Sequence, residues 1–149
     1  GARRHDCRHE EGVRVGPVTP MPTFPLIEYA DAPPEVREVF DDIKRTRNIP
    51  DVNNFWKALA NHPAALKQVW EEVKQVMAPG ALDPLTKELI YVAVSATNGC
   101  EYCTATHTAS ARNKGATQEQ IAEALAVAAL ANKTNRLANG YRVPVDSGL

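Results

Sequence analysis

From residue 33 onward the apolar periodicity of this sequence is interrupted by one kind of signal, the punctuation that starts and stops helices. Pro33-Pro34 opens a segment in which Val36, Val39, Phe40 and Ile43 recur at three- and four-residue steps, and Asn48-Ile49-Pro50-Asp51 breaks it. A short segment from Asn54 to Asn61 carries Phe55, Trp56 and Leu59. Pro63 begins a longer one through Leu66, Val69, Trp70, Val73 and Met77, which Pro79-Gly80 stops. At Asp83-Pro84 an acceptor side chain at the N-cap precedes a proline whose missing amide has no partner to lose, so a helix is expected to about Thr97. Asn98-Gly99 interrupts it and can cap a new helix from Cys100 to Lys114, ended by Gly115. Thr117 and Gln120 fit a capping box for a last helix with a small-residue packing face at Ile121, Leu125, Ala128 and Ala129. Nothing alternates for long enough to make a strand. The expected class is therefore all-α, a bundle of six or seven helices joined by short loops.

A chain of 149 residues fits one ordinary domain, and the helical pattern assigns it to residues 26–149. Residues 1–25 mix charge, Gly12, Gly16, Pro17, Pro20, Pro22 and Pro25 without periodicity, and read as an extended or disordered leader. Because the chain opens on Gly and Met21 begins a more ordinary stretch, residues 1–20 are read as added upstream of the native start, in part or in full. Cys7 lies in that leader between His5 and His9, and is read as part of a flexible arm rather than a metal site. Phe55, Trp56 and Trp70 fall at helical spacings and are expected in the core.

Charge and hydropathy exclude several partners. The formal net charge is −1, and no run of lysines and arginines marks a nucleic-acid surface. The most apolar stretch, Ile121 to Ala131, is broken by Glu123 and is far shorter than the roughly 20 residues a membrane span needs. Arg3, Arg4 and Arg8 are followed by no apolar run of a secretory signal, so the expected compartment is the cytoplasm. Of the three cysteines, two stand three apart, a spacing that points to redox or metal chemistry rather than a secreted disulfide framework.

Chemistry concentrates between Glu88 and His107. Cys100, Cys103 and His107 on one helix fall within about 60° of each other, so both sulfurs and the imidazole share a face. Two cysteines near a helix start can close a disulfide within one turn, and the amide dipoles there favour a thiolate. His107 lies four residues after Cys103 and can accept its proton, while Glu88 from the preceding helix can orient or recharge the imidazole. Helical stepping places Glu88 roughly 60° from the apolar stripe of Leu85, Leu89, Val92 and Ala96, at the edge of the buried face. The same four residues are also of acceptable type for zinc. Tyr102 stands between the thiols and either lines the entrance or packs outside it.

The pattern of Glu88, eleven residues, Cys100-x-x-Cys103, three residues and His107 resembles the signature of the AhpD alkylhydroperoxidase family, which shares its fold with carboxymuconolactone decarboxylase. All four positions match, and the similarity extends from about Phe55 to Leu130. The resemblance implies an all-α AhpD-like fold that associates as a homo-oligomer, trimer or hexamer. It implies that Cys103 attacks the hydroperoxide and becomes a sulfenic acid, that Cys100 resolves it to a Cys100–Cys103 disulfide, and that His107 and Glu88 move the proton. It also implies a thiol or lipoyl-type reductant protein and no bound cofactor or metal. The helix dipole by itself favours Cys100 as the more acidic thiol, so the order of attack is open at this level. Some alkylhydroperoxidases carry a second histidine just before the second cysteine, where this chain has Tyr102.

Four functions compete on this reading. A thiol peroxidase leads. A lyase resembling carboxymuconolactone decarboxylase shares the fold but does not depend on a cysteine pair. A non-enzymatic redox-sensing module would use the disulfide to alter partner binding, and a zinc site would occupy the thiols with metal.

Overall fold

The computed structural model describes residues 21–148, and in them six α-helices and one 3-10 turn, Tyr29–Asp31, with no strand. Residues 1–20 of the expected leader, with His5, Cys7 and His9, lie outside the described residues.

Among the described residues, those from Met21 to Trp70 form one compact unit. Helix α1 (Pro34–Arg47) starts at the proline that fixes its first turn and ends at Asn48, whose left-handed backbone (φ 52°) turns the chain away. Its buried side chains are Val36, Val39, Phe40 and Ile43, the stripe expected from spacing. The short helix α2 (Asn54–Leu59) and the first turns of α3 (Pro63–Met77) supply Trp56, Leu66 and Trp70 to the same core. The two indoles meet edge to face at 5.5 Å, and Trp70 Nε1 donates to Asp42 Oδ2 at 2.7 Å, which satisfies the one polar atom the ring carries inward. Phe55 departs from expectation. It lies on the outer side of α2, 42% exposed, because a six-residue helix turns only one side to the core and Trp56 takes it.

Lys57 is buried yet paired: its ammonium meets Glu28 at 2.7 Å and Asp51 at 2.8 Å. With the Ile27 amide on the Lys57 carbonyl and the Asn61 side chain on the Pro25 carbonyl, this ties the segment before α1 to α2.

From Glu71 onward a second compact unit contains α4 (Pro84–Thr97), α5 (Glu101–Asn113) and the 24-residue α6 (Gln118–Tyr141). Asp83 caps α4 by accepting from the Thr86 amide, with Pro84 at the first helical position. The expected capping box is formed at α6: the Gln120 amide donates to Thr117 Oγ1 and the Thr117 amide to Gln120 Oε1. At α5 the expected cap is corrected. Cys100, rather than the Asn98-Gly99 pair, is the N-cap residue, and its sulfur accepts from the Cys103 amide at 3.2 Å. Gly99 instead supplies the positive φ (70°) that lets the chain reverse between α4 and α5.

α4 packs against both α5 and α6. Its buried face is Glu88, Val92 and Ser95, turned away from the expected stripe; Ala96 is exposed and Leu85 and Leu89 are half-buried. α6 buries Ile121 and Ala128 as expected but leaves Leu125 and Ala129 outside.

Candidate active site

The turn at Gly99 brings α5 back against α4, so residues far apart in sequence face each other. Cys100 at the cap and Cys103 in the first turn have Cα atoms 5.3 Å apart and form a disulfide. One turn further on, His107 Nδ1 meets Glu88 Oε2 at 2.7 Å. The imidazole is stacked on the Tyr91 ring of α4, centroids 3.5 Å apart and planes 15° from parallel, which fixes the ring plane as the hydrogen bond fixes its rotation.

Glu88 is the centre of the polar arrangement. Only 4% of it is exposed. Its Oε1 accepts from Ser110 Oγ at 2.8 Å and from Lys114 Nζ at 2.9 Å, and the same ammonium reaches Ser110 Oγ at 2.9 Å. Burial alone pushes the carboxyl up, but the hydrogen bonds from His107, Lys114 and Ser110, with the Lys114 charge, outweigh it and bring its pKa down to about 2. Glu88 is thus an anion at every physiological pH, although it sits in the interior.

Cys100, Cys103, His107 and Glu88, the four residues chosen from spacing, are gathered in this one unit of the chain. The placement of Glu88 at the edge of the buried face is corrected: it lies in the middle, since the partners that compensate its charge come from α5, which covers that side of α4. Ser110, Lys114 and Tyr91 were not singled out. Ser110 and Lys114 follow His107 at three and seven residues, so the helical phase that joined the thiols to the imidazole would have found them as well. Tyr102 is 39% exposed. Among the described residues no group of three or more His, Cys, Asp or Glu side chains is arranged to hold a metal ion.

The disulfide borders a cleft of about 440 Å³ walled by Val76, Met77, Leu82, Ile90, Tyr91 and Val94. Lys87 stands at its edge with its ammonium on the carbonyls of Val76 and Ala78, closing the C-terminal end of α3.

A family model described as the carboxymuconolactone decarboxylase family matches residues 63–146, more than half of the chain. This chain belongs to that family. Its fold matches the crystal structure of the alkylhydroperoxidase AhpD core from Rhodospirillum rubrum with a TM-score of 0.82 and 53% identity, over 85% of this chain and 96% of that one. Within the family the present chain is therefore AhpD-like, and the all-α expectation holds. It is also similar to the Paracoccus denitrificans uncharacterized protein 4 in the cox locus, 54% identical over 56 residues, which are 38% of this chain and 50% of that protein. An uncharacterized protein of Cupriavidus necator is 36% identical over 80 residues, 53% of this chain and 71% of that one. The chain thus spans half the length of the Paracoccus relative. Among the described residues no helix is long and apolar enough to cross a membrane.

Proposed function

We propose that this AhpD-like protein is a thiol-dependent peroxidase that reduces hydroperoxides through Cys100 and Cys103, with Glu88 and His107 as its proton relay. The observation that carries this reading is the placement of a disulfide-forming pair one helical turn from an imidazole held by a buried carboxylate. In the reduced protein His107 takes the Cys103 proton, and the thiolate attacks the distal oxygen of ROOH. The O–O bond breaks, Cys103 becomes a sulfenic acid and ROH leaves with the proton returned by His107. Cys100 then attacks the Cys103 sulfur and expels water, forming the disulfide; two thiols have been oxidised and one hydroperoxide reduced. A thiol or lipoyl-type reductant protein restores the pair by exchange. The apolar cleft beside the sulfurs suits the organic part of an alkyl hydroperoxide.

The amide of Cys103 on the Cys100 sulfur, together with the start of α5, favours a thiolate on Cys100, whereas the family pattern gives the first attack to Cys103. The exposed apolar side chains Val127 and Leu130 on α6 support a homo-oligomer, for which the family resemblance implies a trimer or hexamer. A lyase of the kind named in the family description would have no need of the paired sulfurs.

Intact mass and thiol titration after one equivalent of cumene hydroperoxide test the proposal. The reduced wild type is expected to lose two hydrogens and two of its three thiols within the mixing time. Cys100→Ser should accumulate a trappable sulfenic acid, and Cys103→Ser should not react. Sulfenic acid trapped in Cys103→Ser instead would reverse the two roles, and an unreactive wild type would remove the peroxidase reading.

A further inference from the structure

The proton relay uses one oxygen of Glu88. The other is held just as firmly, by Ser110 at 2.8 Å and Lys114 at 2.9 Å, and neither residue has a part in the thiol chemistry. A carboxylate this buried needs a compensating cation, because an uncompensated charge in the interior is costly, and Lys114 reaches it from the surface with its own side chain 38% exposed. Lys114 is built to be that cation. It caps the C-terminal end of α5 with its amide on the Ser110 and Ala111 carbonyls, where a positive charge also suits the helix dipole. Gly115, at φ +91°, ends the helix immediately after it, so the lysine stem runs back along α5 toward Ser110 and Glu88.

The neighbouring charges are engaged elsewhere. Lys87 donates to the carbonyls of Val76 and Ala78, and Arg112 donates to Gln118. The groups that act on the carboxyl, His107, Ser110 and Lys114, all come from α5 and its cap. From α4, Tyr91 stacks on the imidazole.

We propose that Lys114 and Ser110 are positioning residues of this site: they supply the cation that Glu88 requires, and thereby leave His107 a neutral proton acceptor with its Nδ1 proton on Glu88 and its lone pair on Nε2. Glu88 and Lys114 together carry no net charge, so the imidazole need carry none. Without Lys114 the buried carboxylate draws its cation from the next available group, and His107 becomes imidazolium. An imidazolium has two N–H donors and no lone pair, so it cannot take a proton from a thiol. The consequence for turnover rests on the peroxidase reading; the tautomer and charge of His107 do not.

Imidazole ¹⁵N spectra of the reduced, full-length protein test this directly. Wild type at pH 7 is expected to show one protonated nitrogen, Nδ1, and one unprotonated. Lys114→Met should show both nitrogens protonated at the same pH, its titration midpoint raised by at least one pH unit, and Lys114→Arg should restore the wild-type spectrum. Ser110→Ala, which keeps the cation but removes the hydroxyl shared by Glu88 Oε1 and Lys114 Nζ, should keep the proton on Nδ1 and raise the same midpoint by a smaller amount; it carries the test if Lys114→Met does not fold. Peroxide-driven loss of thiols should slow about tenfold in Lys114→Met and recover in Lys114→Arg. A His107 spectrum and midpoint unchanged in Lys114→Met, or in Ser110→Ala if only that variant folds, would overturn the proposal. Shifted spectra in a protein whose wild type ignores peroxide would leave the positioning role standing and remove the peroxidase reading alone.

Discussion

The region up to Trp70 and the region from Glu71 bury different things. The first encloses hydrocarbon and indole: Val36, Phe40, Ile43, Trp56, Leu66 and Trp70 are each at most 2% exposed. The second has fewer fully enclosed apolar side chains, Val92, Ala111 and Ile121 among them, and places an ionised carboxylate beside them. The polar residue buried in the first region, Lys57, pairs with two half-exposed carboxylates and ties a segment down. In the second, where Ser95 is also buried, the buried charge is Glu88, which faces an imidazole one turn from a disulfide. Packing in the first region serves to hold a shape, whereas packing in the second holds a charge in a place where water would otherwise solvate it.

The largest effect should come from the hydrocarbon side of this contrast. Phe40→Ala is expected to cost about 3–5 kcal/mol through lost burial and the cavity left behind. Trp56 and Trp70 are the chain's two tryptophans and both lie in that core, so urea unfolding followed by their fluorescence reads it directly. A loss below about 1 kcal/mol would mean that the site collapses around the missing ring, and that this region is less tightly packed than its burial implies.

A smaller, pH-dependent effect belongs to the charged side. The Glu88 carboxyl titrates near 2 in the folded protein, against about 4.3 for a free glutamate in the unfolded chain. The unfolded state binds the proton more readily, so the stabilisation is complete above pH about 4.3 and is lost as the pH falls toward 2, at most about 3 kcal/mol in total. Glu88→Gln should lower stability at pH 7 by about 1–3 kcal/mol and flatten this part of the acid limb. Acid unfolding curves of equal slope for the two proteins would show that the hydrogen bonds from His107, Ser110 and Lys114 do not favour the charged form. The smallest change is local: Thr117→Ala removes one half of the α6 capping box and should cost about 1 kcal/mol by thermal unfolding, without altering the His107–Glu88 pair.

Much of this was legible in the order of residues. Pro34, Pro63, Asp83-Pro84 and the Thr117–Gln120 box stand at or beside the helix starts they announced, and the α1 stripe is the one that is buried. The placement of Cys100, Cys103 and His107 at the start and along one face of a single helix was legible too. Phe55, the α4 face and half of the α6 face were not. On α4, hydrophobicity nominated Leu85, Leu89, Val92 and Ala96; of these the structure buries Val92, and it adds Glu88 and Ser95 in place of the rest. Ser110 and Lys114 went unnoticed because a serine and a lysine near a helix end are ordinary until a buried carboxylate faces them.

Helix limits depend on interactions that span four residues or fewer, a side chain on an amide, a proline at the first turn, a glycine past the last, so the sequence by itself determined where most of the helices begin, to within a residue or two, and which reactive groups ride on α5. Which face of α4 is covered depends on what α5 and α6 bring to it. The tertiary structure alone decided that Glu88 is interior and ionised, since its burial is tolerable only where Ser110, Lys114 and His107 converge on its two oxygens.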